Sequence, residues 1–253
     1  SKTLDIGTLR TDFGANKDLI LTAKYIGVDE THLGDYYRFG SYPQSKVNNA
    51  NIIESLKIAT DTDGDGYLNL AQDEYKGFFK VEPIVWEVKA DKTLVSSMIL
   101  DSLNYNYTSG NRTIEGVQVH ANNYKYSTIR AFLNGYDGSS YNVENYVDNG
   151  FIDLAFTEEE QTKIQETLVN NSVKSTGQTQ NQYVCEDTND KLFLLSYEEL
   201  MKQENGYKTD TDRMRKGTDY AIANGLSVYN NNHSYYWTRS PYSYDSRRAC
   251  QIN

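Results

Sequence analysis

The sequence predicts an α+β domain with short antiparallel strands, two or three helices and long loops. Three observations predict it. Short runs with strand-like alternation are interleaved irregularly with helical patterns, and that order argues against a parallel α/β sheet. Polar stretches rich in Asn, Gln, Ser and Thr separate them. The aromatic content is dominated by 22 Tyr against 8 Phe and 2 Trp, a mix suited to strands and exposed loops, where a ring packs while its hydroxyl meets water.

Taken in order, residues 1–33 read as a short β-rich segment, with alternation over 19–26, and a larger domain is expected over 34–253. Residues 35–39 read as a strand and 40–44, with Gly40 and Pro43, as a turn. Residues 51–59 form a short amphipathic helix through Ile52, Ile53, Leu56 and Ile58. Residues 83–88 and 93–97, separated by Lys89-Ala-Asp-Lys92, read as a hairpin. On its first strand Ile84, Trp86 and Val88 share a face, so Trp86 is expected in the core. A helix opens at Ser127, and another after Thr157 and Glu160, which make a capping box. Residues 170–190 read as a long polar loop, followed by a strand over 191–195 and a helix capped at Ser196. A helix over 218–223, a polar loop over 229–234 and a strand over 235–239 complete the chain, with Pro241 setting a turn. Arg130 and Arg239 are expected to pair buried carboxylates. Glu158, Glu159, Glu160, Glu198 and Glu199 read as solvated helix starts favoured by the macrodipole.

The run Asp61-Thr-Asp-Gly-Asp-Gly-Tyr-Leu-Asn69 has the spacing of a calcium loop. Asp61, Asp63 and Asp65 alternate, Gly66 can adopt φ > 0, and Tyr67 offers its carbonyl. Such hard oxygens repel one another unless a cation sits among them, and calcium fits best. The twelfth position, where a bidentate Glu is usual, is Gln72. Asn69, Gln72 or Asp73 is therefore expected to complete the shell, with Glu74 close behind.

The formal net charge of −10 excludes a nucleic-acid footprint, which needs clustered Lys and Arg. No apolar run approaches a membrane span. Ser1 opens no signal peptide, so a mature or trimmed product is expected. Cys185 and Cys250 are too few for a disulfide framework and are expected to be unpaired. His32, His120 and His233 have no ligand spacing, and no catalytic motif is present. No enzymatic activity is expected.

The stretches Thr11-Asp-Phe-Gly14 and Leu21-Thr-Ala-Lys-Tyr25 resemble the last strands of a Listeria–Bacteroides type surface repeat. A second resemblance covers about residues 34–250. Tyr36-Tyr-Arg-Phe-Gly-Ser-Tyr-Pro-Gln44, Glu82-Pro-Ile-Val-Trp-Glu-Val88, Ser127-Thr-Ile-Arg130, Phe156-Thr-Glu-Glu-Glu160, Asp190-Lys-Leu-Phe-Leu-Leu-Ser196, Thr218-Asp-Tyr-Ala221 and Trp237-Thr-Arg-Ser-Pro241 together resemble one bacterial domain family without assigned function. The resemblance implies a C-type-lectin-like fold, in the branch shared with formylglycine-generating enzymes. Their copper-binding cysteines form a close pair, which Cys185 and Cys250 do not match.

That fold implies a secreted or cell-surface module that binds a protein or glycan through residues 229–248. Tyr229, Asn231, Tyr235, Trp237, Tyr242, Tyr244 and Arg247 are the expected contacts. The Tyr, Asn, Asp and Ser there are types produced by retroelement mutagenesis of adenine-containing codons, as in some bacterial variable proteins of this fold. Alternation puts Tyr235, Trp237 and Arg239 on one strand face and Tyr236, Thr238 and Ser240 on the other. If the first is core, the second is exposed. A carbohydrate-binding accessory domain and a structural spacer are the other readings.

Overall fold

The computed structural model describes residues 18–25, 33–56, 67–70, 77–106, 109–114, 116–135, 150–229, 231 and 233–252. The strands used below are β1 (Thr22–Tyr25), β2 (Tyr36–Lys46), β3 (Tyr67–Leu70), β4 (Gly77–Val88), β5 (Thr93–Ser96) and β6 (Ile164–Gln165). They continue with β7 (Thr167–Val169), β8 (Thr188–Asp190), β9 (Leu192–Phe193), β10 (Tyr236–Pro241) and β11 (Ala249–Ile252). The helices are α1 (Ala50–Leu56), α2 (Thr128–Asn134), α3 (Phe151–Ala155), α4 (Glu158–Lys163), α5 (Tyr197–Met201), α6 (Asp210–Arg213) and α7 (Asp219–Ala223). The α+β class with short strands holds. Among the described residues the helical content is split into more, shorter pieces than two or three helices, and none exceeds seven residues.

The main sheet has seven strands, in the order β6–β1–β5–β4–β2, with β9 also on β1 and β3 also on β4. All its pairings are antiparallel. The hairpin expected at residues 89–92 joins β4 to β5. Lys92 there takes a left-handed φ of 63°, and the Asp91 side chain accepts from the Thr93 N–H. β1 lies between β5 and the β6/β9 edge and, with the residue before it, contributes the buried Leu21 and Ala23. The strand at residues 22–25 is therefore hydrogen-bonded into the same sheet as β5 and β4.

β2 corrects the expected turn at residues 40–44, since it runs on to Lys46. Its register against β4 moves from Arg38↔Val85 to Ser41↔Pro83, so β2 carries one extra residue there. This is a bulge built on Gly40, whose φ is +66°; glycine adopts that conformation without penalty. Pro43 sits opposite Val81 and is tolerated because β2 is an edge strand. Pro241, likewise, is the last residue of β10 and pairs with Ala249 across an irregular register.

Ile84, Trp86 and Val88 are all buried on one face of β4, as alternation predicts. The Trp86 indole N–H donates to the Phe39 carbonyl at 2.8 Å. Its ring stacks on Phe156, which also contacts Phe39. Tyr42, Phe79, Phe151 and Tyr220 extend this cluster. A second cluster contains Ile20, Val95, Ile99, Leu195, Leu200, Tyr207 and Tyr236.

The helix caps follow the sequence signals. Ser127 caps α2, Thr157 and Glu160 form the capping box of α4, Ser196 and Glu199 that of α5, and Thr218 caps α7. Glu160 and Glu199 are nevertheless more than solvated helix starts. Glu160 also accepts from the Gly40 N–H at 3.2 Å, and Glu199 is held by Arg239. The polar stretch 170–190 contains a 3-10 turn, Val173–Thr176, and ends in β8, which pairs with β7. Arg130 pairs the fully buried Asp190 at 2.7 Å, and burial pushes that carboxyl up even though Arg130 opposes the shift. Cys185 and Cys250 are unbridged, and burial pushes the Cys250 thiol up to about 11. Among the described residues no helix is long and apolar enough to cross a membrane.

At Gly40 a methyl group would meet Phe156 Cδ1 at 2.6 Å and the Ala155 carbonyl oxygen at 2.7 Å. Gly40→Ala is therefore expected to cost about 2–3 kcal/mol, combining left-handed strain with overpacking. Urea unfolding compared with Ser41→Ala measures it, and parent-like stability would contradict the bulge.

Candidate functional site

The expected binding surface is built on the β10–β11 ribbon. Tyr236 pairs with Ile252 and Trp237 with Gln251, after which the register slips so that Pro241 faces Ala249. The ribbon is not divided into a core face and a solvent face. Tyr236, Thr238, Arg239 and Ser240 are all buried. The physical reason is its position between the two apolar clusters, with Tyr236 in the second and Trp237 packed against the first. Trp237 donates its indole N–H to the Leu103 carbonyl and meets Tyr105 edge-on at 5.5 Å. It is half-buried, and its ring packs against the first cluster.

Arg239 explains why the ribbon is fixed. Its side chain is 2% exposed and forms a two-point pair with Glu199 at 2.6 and 2.7 Å. The remaining N–H groups donate to the carbonyls of Asn170 and Leu194. Burial alone would raise the Glu199 carboxyl, but the Arg239 charge and the Ser196 N–H outweigh it and hold the group below its ordinary value.

Beyond the ribbon the expected residues are exposed, and they form two groups. Tyr229 and Tyr235 meet edge-on with ring centres 5.2 Å apart. Tyr242 and Tyr244 meet at 5.6 Å, and Tyr244 is 85% exposed. The pairs stand at opposite ends of β10, so strand rise separates them by roughly 20 Å. Asn231 is exposed with a left-handed φ of 59°, which Asn tolerates better than most residues. The Arg247 guanidinium holds Asp245 through both carboxylate oxygens at 2.9 and 3.0 Å. Those bonds bring the Asp245 carboxyl down to about 2.

The loop at residues 242–248 rests on Asn122, a fully buried residue that sequence reasoning missed. The Asn122 amide donates to the carbonyls of Asp245 and Arg248 at 3.1 Å and of Tyr242 at 3.5 Å. Its backbone N–H donates to the Ser246 carbonyl, and Asn181 holds the Pro241 carbonyl at 2.8 Å. The local context of Asn122, Ala-Asn-Asn-Tyr, carries no signal of a partner more than a hundred residues away. The loop is thus an exposed aromatic turn whose backbone carbonyls are tied from beneath.

Of the calcium-loop residues, Asp61, Asp63, Asp65, Gln72 and Asp73 lie outside the described residues. Tyr67 and Asn69 stand in β3, opposite Lys80 and Phe78 of β4.

A depressed carboxylate stabilises the fold fully above its unfolded value, near 4.3, and loses that contribution as pH falls through the folded value. Glu199→Gln should therefore weaken the protein at pH 7, by about 3–5 kcal/mol for a broken buried pair. It should also flatten the loss of stability between about pH 5 and pH 2 relative to the parent. Urea unfolding across that range measures both, and parallel pH profiles would refute the assignment.

No curated protein and no solved structure matches the chain. A family pattern matches residues 90–253. The matched span begins inside the β4–β5 turn and leaves out residues 36–44 and 82–88, although both segments line the same core. Over that span the chain belongs to a family of domains of unknown function, DUF6273.

Proposed function

We propose that the chain is a non-catalytic ligand-binding module of a secreted or cell-surface bacterial protein, displaying its contact loops in the manner of a C-type-lectin-like fold. The observation that carries this reading is the loop at residues 242–248. It exposes Tyr242 and Tyr244, while Asn122 satisfies its carbonyls from below. A tied-down aromatic loop loses little entropy on binding, and tyrosine supplies contact area at low rotamer cost. The edge-on packing of both tyrosine pairs offers no flat platform for a sugar ring, and the adjacent Asp245–Arg247 pair offers polar contacts, so a protein partner is favoured over a glycan. The Tyr, Asn and Ser content of residues 229–248 also suits a surface varied by retroelement mutagenesis. Calcium at Asp61, Asp63 and Asp65, with the Tyr67 carbonyl, would brace the approach to β3.

The double variant Tyr242→Ala/Tyr244→Ala should weaken a purified partner at least tenfold, as expected for interface hot spots, while the melting temperature stays within about 2 °C of the parent. A glycan array run beside protein capture separates the two ligand classes. Unchanged affinity, or instability equal to a core truncation of roughly 3–5 kcal/mol, would remove the loop as the contact surface.

Excess calcium should raise the melting temperature, because an ion bound only by the folded state contributes about 2.7 kcal/mol at a hundredfold excess over Kd. Asp63→Asn should diminish that rise. Superimposable melting curves in calcium and in chelator would end the assignment.

A further inference from the structure

A cavity of about 120 Å³ opens beside the β4–β5 turn, which contributes Lys89, Asp91 and Thr93 to its lining. One ordered water needs only roughly 10–15 Å³, and an engineered cavity of roughly 150 Å³ holds a benzene ring, so a molecule of about six heavy atoms fits. No residue of the 242–248 loop lines it.

The lining is electrically balanced. Lys89 and Arg239 stand against Asp91 and Glu199. Neither cation is poised for an anion. Arg239 has an acceptor for every N–H, and Lys89 is held at 2.7 Å by Glu87, which lies outside the lining. A cation drawn to Asp91 would in turn meet the charges of Lys89 and Arg239. The space therefore disfavours a ligand of either sign. The Tyr207 ring lines it too, but the Tyr207 hydroxyl is sealed inside the protein without a partner and takes no part.

What the lining does offer is hydrogen-bonding capacity of both kinds. Thr93 is only 4% exposed, yet its hydroxyl keeps accessible surface and bonds no group among the described residues. The Asn170 side-chain oxygen accepts from the Ser172 N–H, which leaves the amide N–H groups over. Asn205 donates its amide to the Glu199 carbonyl, which leaves the amide oxygen over. Asp91 uses one carboxylate oxygen on the Thr93 N–H and keeps the other. Val169, Phe193 and Leu195 make the remaining wall apolar. A hydroxyl both donates and accepts, so several hydroxyls on a short carbon chain match this set better than a carboxylate or an ammonium does.

We propose that this cavity binds a short neutral polyol of glycerol size. Its hydroxyls accept from the Asn170 amide, donate to Asp91 and Asn205 and exchange a hydrogen bond with Thr93, while its carbon chain packs on Val169, Phe193 and Leu195. The site is separate from the 242–248 loop, so either can fail without the other.

Saturation-transfer NMR titration of the purified chain with glycerol tests this. Glycerate serves as the anion of the same size, serinol as the cation and 1-butanol as a chain with a single hydroxyl. Saturable glycerol binding is expected, with each of the other three weaker by about fivefold or more, roughly the worth of one hydrogen bond. Thr93→Val should weaken glycerol by about fivefold without lowering the melting temperature of the ligand-free protein, because the lost hydroxyl had no partner. Asp91→Asn removes one of the two lining carboxylates and should shift the preference from glycerol toward glycerate. Absence of saturable glycerol binding up to ~50 mM, equal binding of glycerate, serinol or 1-butanol, undiminished binding in the folded Thr93→Val variant, or an unchanged preference in Asp91→Asn would each overturn the proposal.

Discussion

A guanidinium that is almost wholly buried must have every donor and its whole charge answered, and the C-terminal half of the domain is arranged around that demand. Arg239 cannot give up its proton, so the chain must bring acceptors to it. Glu199 comes from the start of α5, the Leu194 carbonyl from the end of β9 and the Asn170 carbonyl from the end of β7. These segments are distant in sequence and meet only where β10 runs between them. Arg130 acts in the same way nearby, joining α2 to Asp190 at the end of β8. Such pairs are poor sources of net stability but severe penalties on any arrangement that separates them. They act here as constraints on register more than as glue.

That fixed register is what allows the surface beyond β10 to be polar and still ordered. The loop at residues 242–248 has little apolar anchorage of its own, since Tyr244 points to solvent and Tyr242 is only partly covered. Its backbone is held instead by the buried amide of Asn122, a neutral group whose desolvation costs far less than that of a charge. The charges on the loop satisfy each other in solvent, as in Asp245 with Arg247. Charge is therefore used beneath the ribbon to fix position and kept at the surface to remain available.

The elements legible in the sequence are those whose signals are local. The capping boxes at Thr157 and Ser196 require residues only three positions apart, and both formed. Trp86 was legible because β4 has one core face over residues 84–88, which period-two alternation reports. Gly40 and Pro43 misled because glycine and proline mark special backbone angles, and a bulge in an edge strand uses the same angles as a turn. β10 misled for a different reason. Alternation assumes one wet face, and Tyr236 and Trp237 enter two separate apolar clusters on opposite sides. Asn122 and Tyr207 left no trace, because what distinguishes each is a partner, or a missing one, far away along the chain.

Glu199 shows the limit of such reading within a single side chain. As the N3 residue of α5 it accepts from the Ser196 N–H, and the sequence predicts that role. The same carboxylate closes on Arg239, forty residues later, and nothing local predicts it. The contrast with Lys89 then follows from donor arithmetic. Both cations are nearly inaccessible and both line one cavity, yet Arg239 has an acceptor for every N–H while Lys89 has one carboxylate shared with Arg215. A saturated buried cation has nothing left to offer and is structural. A buried cation with fewer acceptors than donors carries a cost in stability that the saturated one does not.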